Sequence, residues 1–414
     1  MKSSIKLPKA VLHILDALCS RGHEAYVVGG CIRDCLMGRI PSDWDITTSA
    51  EPMQIKARFP RTYDTGIAHG TVTVIVSGAP YEITTYRVDG EYLDGRHPES
   101  VSFTKSLEED LARRDFTMNA IAYHPEEGIV DPFFGEKDIR MKTIRAVGSP
   151  DKRFSEDALR ILRAARFSGQ LGFLIEDETL RSMEKNAPRL RNISVERIRD
   201  EFTKLLLSPF PEKLLIAGGF LEYAWDESTR PSLKELELAA ERLKLCPKKP
   251  ALAYALLFCG RNAEGSASSA SNAMKFLKFD AASISKCSQL VKWSKAPIPC
   301  SNYELRKFLS LSLPGNFLDI VSIRGILGSE AEKASLPSTV ELYEKIIKRG
   351  DALSRKDLKV NGTDALNCGI SGKAIGDALS FLLERVLEEP RLNDREALLC
   401  MLSSFQAHPK PLKS

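Results

Sequence analysis

The chain has 414 residues, enough for two or more compact units, because single hydrophobic cores rarely grow past roughly 250 residues. Lys and Arg number 59 against 55 Asp and Glu, a formal net charge of +4, so a uniformly basic surface is excluded and any nucleic-acid contact must come from clustered charge. The nine cysteines form no CxxC pair and are odd in number, which argues against a disulfide framework or a zinc site and for a reducing cytoplasm. No apolar run approaches the roughly 20 residues that span a bilayer, so no membrane partner is expected.

In chain order, the segment KAVLHILDAL is amphipathic, is interrupted by His13 and Asp16, and leads to no small-residue cleavage site; it reads as a first helix and not a signal peptide. β-rich runs at 26–30, 44–48, 71–77 and 81–86 are separated by Gly, Pro and Asp, which makes residues 1 to about 147 an α/β or α+β unit. From about Ser149 onward helical spacing dominates, first in Ala158, Leu159, Leu162, Ala165 and Phe167, then in Val195, Ile198, Phe202, Leu205 and Leu206. The small polar stretch NAEGSASSASN, 262–272, predicts a loop or linker. A last unit, about 335–414, carries a Gly-punctuated turn leading into an amphipathic helix.

Chemistry concentrates in GGCIRDCLMGRIPSDWDITTS. Residues two apart on a strand point to one face, so Asp43 and Asp45 reach a common site about 7 Å along the strand, a spacing suited to clamping metal. Two Mg²⁺ ions held there would activate an attacking 3′-hydroxyl and stabilise a leaving pyrophosphate. Gly29 and Gly30 allow backbone N–H groups close to a triphosphate, and Arg33 can neutralise its charge. Glu82, in YEITTYR, is either a third carboxylate on an adjacent strand or a solvated strand residue.

GGCIRDCLMG, SDWDITT, YEITTYR, LARRDFTMNAIAYH and EDALRILRAARF, in this order, resemble the signature segments of the class II tRNA nucleotidyltransferase and bacterial poly(A) polymerase family. The resemblance covers residues 26 to about 205 and, more weakly, LKVNGTDAL near the end. It implies an α+β chain: a nucleotidyltransferase head with mixed β-sheet over 1–147, then an all-α neck (148–212), body (213–334) and tRNA-binding tail (335–414). By the same resemblance Asp43 and Asp45 match metal-binding aspartates, Glu82 a less constant third carboxylate, and Gly30 and Arg33 triphosphate contacts. Arg114 matches a nucleotide-binding arginine, and Asp157, Arg160, Arg163 and Arg166 fall on positions around the incoming nucleotide. Asp115 is expected to be structural, as a cap or an Arg partner.

The spacing of Asp157 and Arg160, i and i+3, places them side by side on one helix face. Cytosine and adenine each present an amino donor beside a ring acceptor, which a carboxylate and a guanidinium match; uracil and guanine present the reverse. The competing reading makes Ser155 an N-cap, with Glu156 and Asp157 favouring the helix dipole.

Residues 64–74, DTGIAHGTVTV, lack the basic aromatic segment typical of the poly(A) branch, which favours tRNA substrates. Residues 86–103 resemble the flexible loop of enzymes that add the terminal A, so CCA or A-only addition is favoured over CC addition. The expected partners are a tRNA 3′ end, CTP and ATP, with Mg²⁺ as cofactor and no protein partner implied. The histidines at 13, 23, 69, 97, 124 and 408 are scattered and suggest no phosphohydrolase site. An RNA-binding protein without catalysis stays as the reading from another class, since Arg181, Arg189, Arg191, Arg197 and Arg199 could bind phosphates unaided.

Overall fold

Strands form where β-branched and aromatic residues cluster, and their burial decides which lie at the centre of the sheet. The computed structural model describes residues 5–90, 101–260, 266–312 and 314–405. They divide into two units, 1–244 with 275–278, and 245–274 with 279–414.

The first unit opens with helix α1 (Lys9–Cys19), whose Val11, Ile14, Leu15 and Leu18 are buried at helical spacing. Strand β1 (Ala25–Val28) is buried on both faces and runs into α2 (Gly30–Leu36). Then come β2 (Ile46–Thr48), α3 (Pro52–Arg58), β3 (Thr62–Gly66), β4 (Thr71–Val76) and β5 (Ala79–Thr85). The short hairpin β6 (Arg87–Asp89) and β7 (Val101–Phe103) pairs antiparallel. The span 91–100, most of the loop associated above with A addition, lies outside the described residues. Helix α4 (Leu107–Ala112), β8 (Ala122–His124), β9 (Gly128–Val130) and α5 (Gly135–Met141) complete the sheet region.

One seven-stranded sheet results, in the order β3-β4-β5-β2-β1-β8-β9. β1 is antiparallel to both β2 and β8, while β2 and β5 are parallel in the register Ile46↔Ile83. Extending that register by one residue sets Asp45 opposite Glu82, and β2 is the strand that feeds the acid pair into the site. Tyr26, Val28, Tyr86, Leu111, Ala120, Ala122 and Val147 form the core on one side of this sheet.

Helices follow: α6 (Pro150–Glu156), α7 (Leu159–Leu171), α8 (Asp177–Asn186) and α9 (Val195–Leu206), with α7 packed on α9 and α6 on α8. Between α6 and α7 the chain breaks at Asp157, which has extended backbone and accepts Leu159 N–H on Oδ1 at 3.0 Å. A carboxylate that bonds its own downstream backbone competes with the helical ladder there. The expected single helix face through Asp157 and Arg160 is therefore corrected: Asp157 lies outside the helix that Arg160 occupies. Ser155 is likewise not an N-cap; it sits inside α6, and its hydroxyl donates to the Lys152 carbonyl.

The second unit is helical in its described residues. Its cores are Leu305, Leu309, Phe317, Ile346, Leu353 and Leu387, and, toward the end, Leu382, Val386, Leu398 and Leu402 with their neighbours. Arg306, buried, ties its helix to the carbonyls of Leu387 and Glu388. The stretch 262–272 is not a loop throughout, since Ser266–Phe276 is a helix whose Ala270 and Ala273 are buried. Small residues permit close packing there, a tertiary gain that outweighs weak local propensity. Among the described residues no helix is long and apolar enough to cross a membrane.

Candidate active site

β1 ends at Gly29 with φ 85°, a conformation costly for any residue with a β-carbon. A β-carbon on Gly29 would also stand 3.2 Å from Arg114 Nη1. The chain then turns into α2, and Arg33, one turn in, lies over the Phe167 ring with its guanidinium carbon 5.3 Å from the centroid. Arg33 donates Nη1–H to Asn119 Oδ1 at 2.7 Å, and Nε–H and Nη2–H to Asp34 Oδ1 at 2.9 and 2.8 Å.

These groups line a polar cavity of about 480 Å³ with Asp43, Asp45, Arg114, Asp157, Arg160 and Arg163. Nine of the eleven residues singled out in the sequence thus meet on one wall or another of a single cavity. Arg166 and Glu82 do not line it. Arg166 is buried beneath, over the Phe167 ring at 3.9 Å and paired with Glu201 at 2.5 Å. Glu82 is exposed on β5. A larger cavity of about 620 Å³, between Leu7, Ile40 and Trp44, contains no acidic residue and no cluster suited to this chemistry.

Asp43 and Asp45 lie just ahead of β2, and the strand itself begins at Ile46. Backbone pairing starts earlier, because Val28 N–H donates to the Asp45 carbonyl at 3.0 Å, which fixes the acid segment against β1. Among the described residues neither carboxylate has an ion-pair partner; Asp43 accepts only the Ser42 hydroxyl, at 3.1 Å. Loss of solvation and the charge of Asp43 push the Asp45 carboxyl up to about 6, with Arg114 pulling it down and Glu82 adding a smaller push. Two carboxylates without an ion-pair contact among the described residues fit a divalent cation. No group of three or more His, Cys, Asp or Glu close enough to hold a metal occurs among the described residues. An ion here would complete its shell with phosphate and water oxygens.

The arginines are held by acids: Asp110, which sequence reading passed over, and Asp115, which it expected as a cap or an Arg partner. Asp110 on α4 is fully buried; it accepts Arg113 Nε and Nη2 at 3.0 and 2.7 Å, Arg114 Nη2 at 3.2 Å and the Thr47 hydroxyl at 3.0 Å. Burial alone would raise its carboxyl, but the charges of Arg114 and Arg113 hold it below the usual range. Asp115 accepts Arg163 Nε and Nη2 at 2.9 and 2.5 Å and the Asn119 amide at 3.1 Å. Burial opposes that charge too, yet Arg163 and Asn119 bring it down to about 2. Asn119 thus links Arg33 to Asp115 and so to Arg163. Asp157 is bound by Arg197 from α9, at 2.7 Å, and Arg160 by Glu156 at 2.8 Å. The i, i+3 and i, i+4 spacing of Asp110 to Arg113 and Arg114 was readable in LEEDLARR; no local signal marks Asn119, while Phe167 was read only as an apolar helix position and Arg197 only as a phosphate-binding candidate.

Residues 25–145 match the family model described as Poly A polymerase head domain, and residues 172–224 the one described as probable RNA and SrmB-binding site of polymerase A. The mixed sheet with its acid pair, the arginine-lined cavity and these matches define a nucleotidyltransferase. A CCA-adding enzyme of Ligilactobacillus salivarius is 37% identical over 404 residues, 94% of this chain and 95% of its own length. A crystal structure of the Bacillus stearothermophilus CCA-adding enzyme in complex with CTP superposes with a TM-score of 0.81 at 32% identity, covering 98% of both chains. The chain belongs to the CCA-adding enzyme family. Identity rises to 53% over 204 residues with the enzyme of Geobacillus thermodenitrificans, where the match spans 49% of this chain and 50% of that relative, about half its length.

Proposed function

We propose that this protein adds C, C and A, taken from CTP and ATP, to the 3′ end of tRNA without a nucleic-acid template. One observation carries the reading: a single cavity holds an acid pair, Asp43 and Asp45, together with an acceptor and a donor suited to a base edge, Asp157 and Arg160. A relative solved in complex with CTP supports a nucleotide as the substrate.

Asp43 and Asp45 would hold Mg²⁺, which when bound supplies charge neutralisation at the triphosphate and a lowered pKa for the attacking 3′-hydroxyl. Gly29 and Gly30 admit the phosphates close to backbone N–H groups, while Arg33, Arg114 and Arg163 balance their charge. Arg166 acts from beneath Phe167 through its charge, and Glu82 adds negative potential beside Asp45. Asp157 accepts the amino group of cytosine or adenine and Arg160 donates to the ring nitrogen next to it. Uracil and guanine leave both unpaired, at about 1–3 kcal/mol for each buried group. The division into head (1–147), neck (148–212), body (213–334) and tRNA-binding tail (335–414) belongs to the same reading, and exposed Arg181, Arg189 and Arg191 suit phosphate contacts. Nine free cysteines fit work in the cytoplasm.

The deciding experiment offers tRNA ending at the discriminator base, in C or in CC, with Mg²⁺ and each NTP alone and in pairs, and sequences the ends. Stepwise C, C and A is the expected result. Binding of tRNA without extension would instead favour a silent RNA-binding protein.

A further inference from the structure

Helix α5 is bracketed by two residues in left-handed backbone, Phe134 before it at φ 59° and Lys142 after it at φ 54°. Of the four non-glycine residues with positive φ among those described, Phe134 is the one aromatic. A β-carbon makes that conformation costly, and it persists where the surroundings enforce it. Here they do. Asp131 accepts the N–H groups of Gly135 and Glu136 at 2.7 and 2.9 Å, and Gly135 packs so closely on the Thr117 carbonyl that a β-carbon there would overlap it. The ring so placed gains little burial in return, since Phe134 is 71% exposed. The inner side of α5 buries Asp138 and Ile139, while the outer side exposes Lys137, Arg140 and Met141, with Lys142 at its end. Leu174, also exposed, adjoins them by donating its N–H to the Lys142 carbonyl at 2.9 Å. Arg145 pairs with Asp138 and Glu176, whereas Lys137, Arg140 and Lys142 have no ion-pair partner among the described residues.

We propose that this outer face of α5 docks RNA: the Phe134 ring stacks on a base, and Lys137, Arg140 and Lys142 meet phosphates, in the tRNA strand that leads to the 3′ end. Cations without protein partners complement a phosphate backbone, and an exposed ring among them offers a base a flat apolar surface without selecting its identity. The face lies outside the cavity, yet α5 packs on α2, which carries Gly30 and Arg33 of the cavity wall, and on the turn 117–119 that holds Asn119. The inference rests on the tRNA reading above and adds to it a contact that none of the cavity residues makes.

The test measures equilibrium binding of labelled tRNA ending in C to the full chain over a range of salt concentrations, with CTP binding in the absence of tRNA and urea unfolding measured alongside. Phe134→Gly should weaken tRNA binding about tenfold, the loss of one stacked base. Its urea midpoint should stay the same or rise, because glycine adopts positive φ without the cost of a β-carbon. Phe134→Tyr should bind tRNA as the parent does. Lys137→Gln with Arg140→Gln should flatten the slope of log affinity against log salt by about 1.4–1.8, the release of two phosphate contacts. CTP affinity should be unchanged in every variant. Parent-like tRNA affinity in Phe134→Gly, or a parent-like salt slope in the double variant, overturns the proposal. A fall in both urea midpoint and CTP affinity in Phe134→Gly overturns it too, by making the ring a structural element. If the unaltered chain binds no tRNA, the tRNA reading fails and this face with it; if the unaltered chain binds tRNA and only the variants behave as the parent does, the face alone is refuted.

Discussion

Asp115→Asn tests the link between fold and site most directly, because one buried carboxylate ties Arg163 to Asn119 and, through Asn119, to Arg33. The Asp115 carboxyl is held at about 2 against an ordinary 3.8. At about 1.4 kcal/mol per pH unit, that depression makes the ionised form worth roughly 2 kcal/mol to the folded state. The folded pKa is depressed, so this stability is fully present above about pH 4 and is lost as pH falls from there toward about 2. Urea unfolding of the unit that contains the site can be followed by Trp44 and Trp225 in a Trp293→Phe background. Asp115→Asn should lower its stability by about 2 kcal/mol at pH 7, and the gap to the parent should close between about pH 4 and pH 2. Since the shared acceptor loses its charge and one of its two oxygens, KM for CTP and ATP should rise together about tenfold, the value of one charged hydrogen bond. A gap below ~0.5 kcal/mol at pH 7, or one that stays constant down to pH 2, would refute the electrostatic account of Asp115.

Asp43→Ala or Asp45→Ala should abolish nucleotide addition with fold and tRNA affinity retained, and chelation should mimic both. Retention of more than about a tenth of the parent rate, a barrier change under ~1.4 kcal/mol, would count against metal binding there. Asp157→Ala should lower discrimination against UTP and GTP about tenfold with the metal requirement unchanged, read as kcat/KM for all four NTPs; uniform slowing would return Asp157 to a purely capping role. Gly29→Ala should cost about 1–2 kcal/mol of stability from its positive φ. It should also weaken NTP binding by displacing Arg114, and unchanged NTP affinity would show that the close approach at 3.2 Å is without consequence.

What the sequence determined by itself was local. The runs at 26–30 and 71–77 correspond to β1 and β4 because β-branched alternation is a property of adjacent residues. The Gly-Gly turn, the acid pair and Arg33 stood out from the residues themselves, whereas Arg114 and Arg163 were expected from the family resemblance; the structure brings all of them to one cavity. Tertiary structure alone decided the partners. Asn119 meets Arg33 across 86 residues and Arg197 meets Asp157 across 40, separations at which no periodicity survives. The break at Asp157 also escaped the pattern, since EDALRILRAARF has an unbroken helical spacing and only the side-chain bond to Leu159 N–H shows that the helix restarts. A carboxylate set between two helices, and bound from a third, follows from packing α7 against α9, and packing is a property of the whole folded unit.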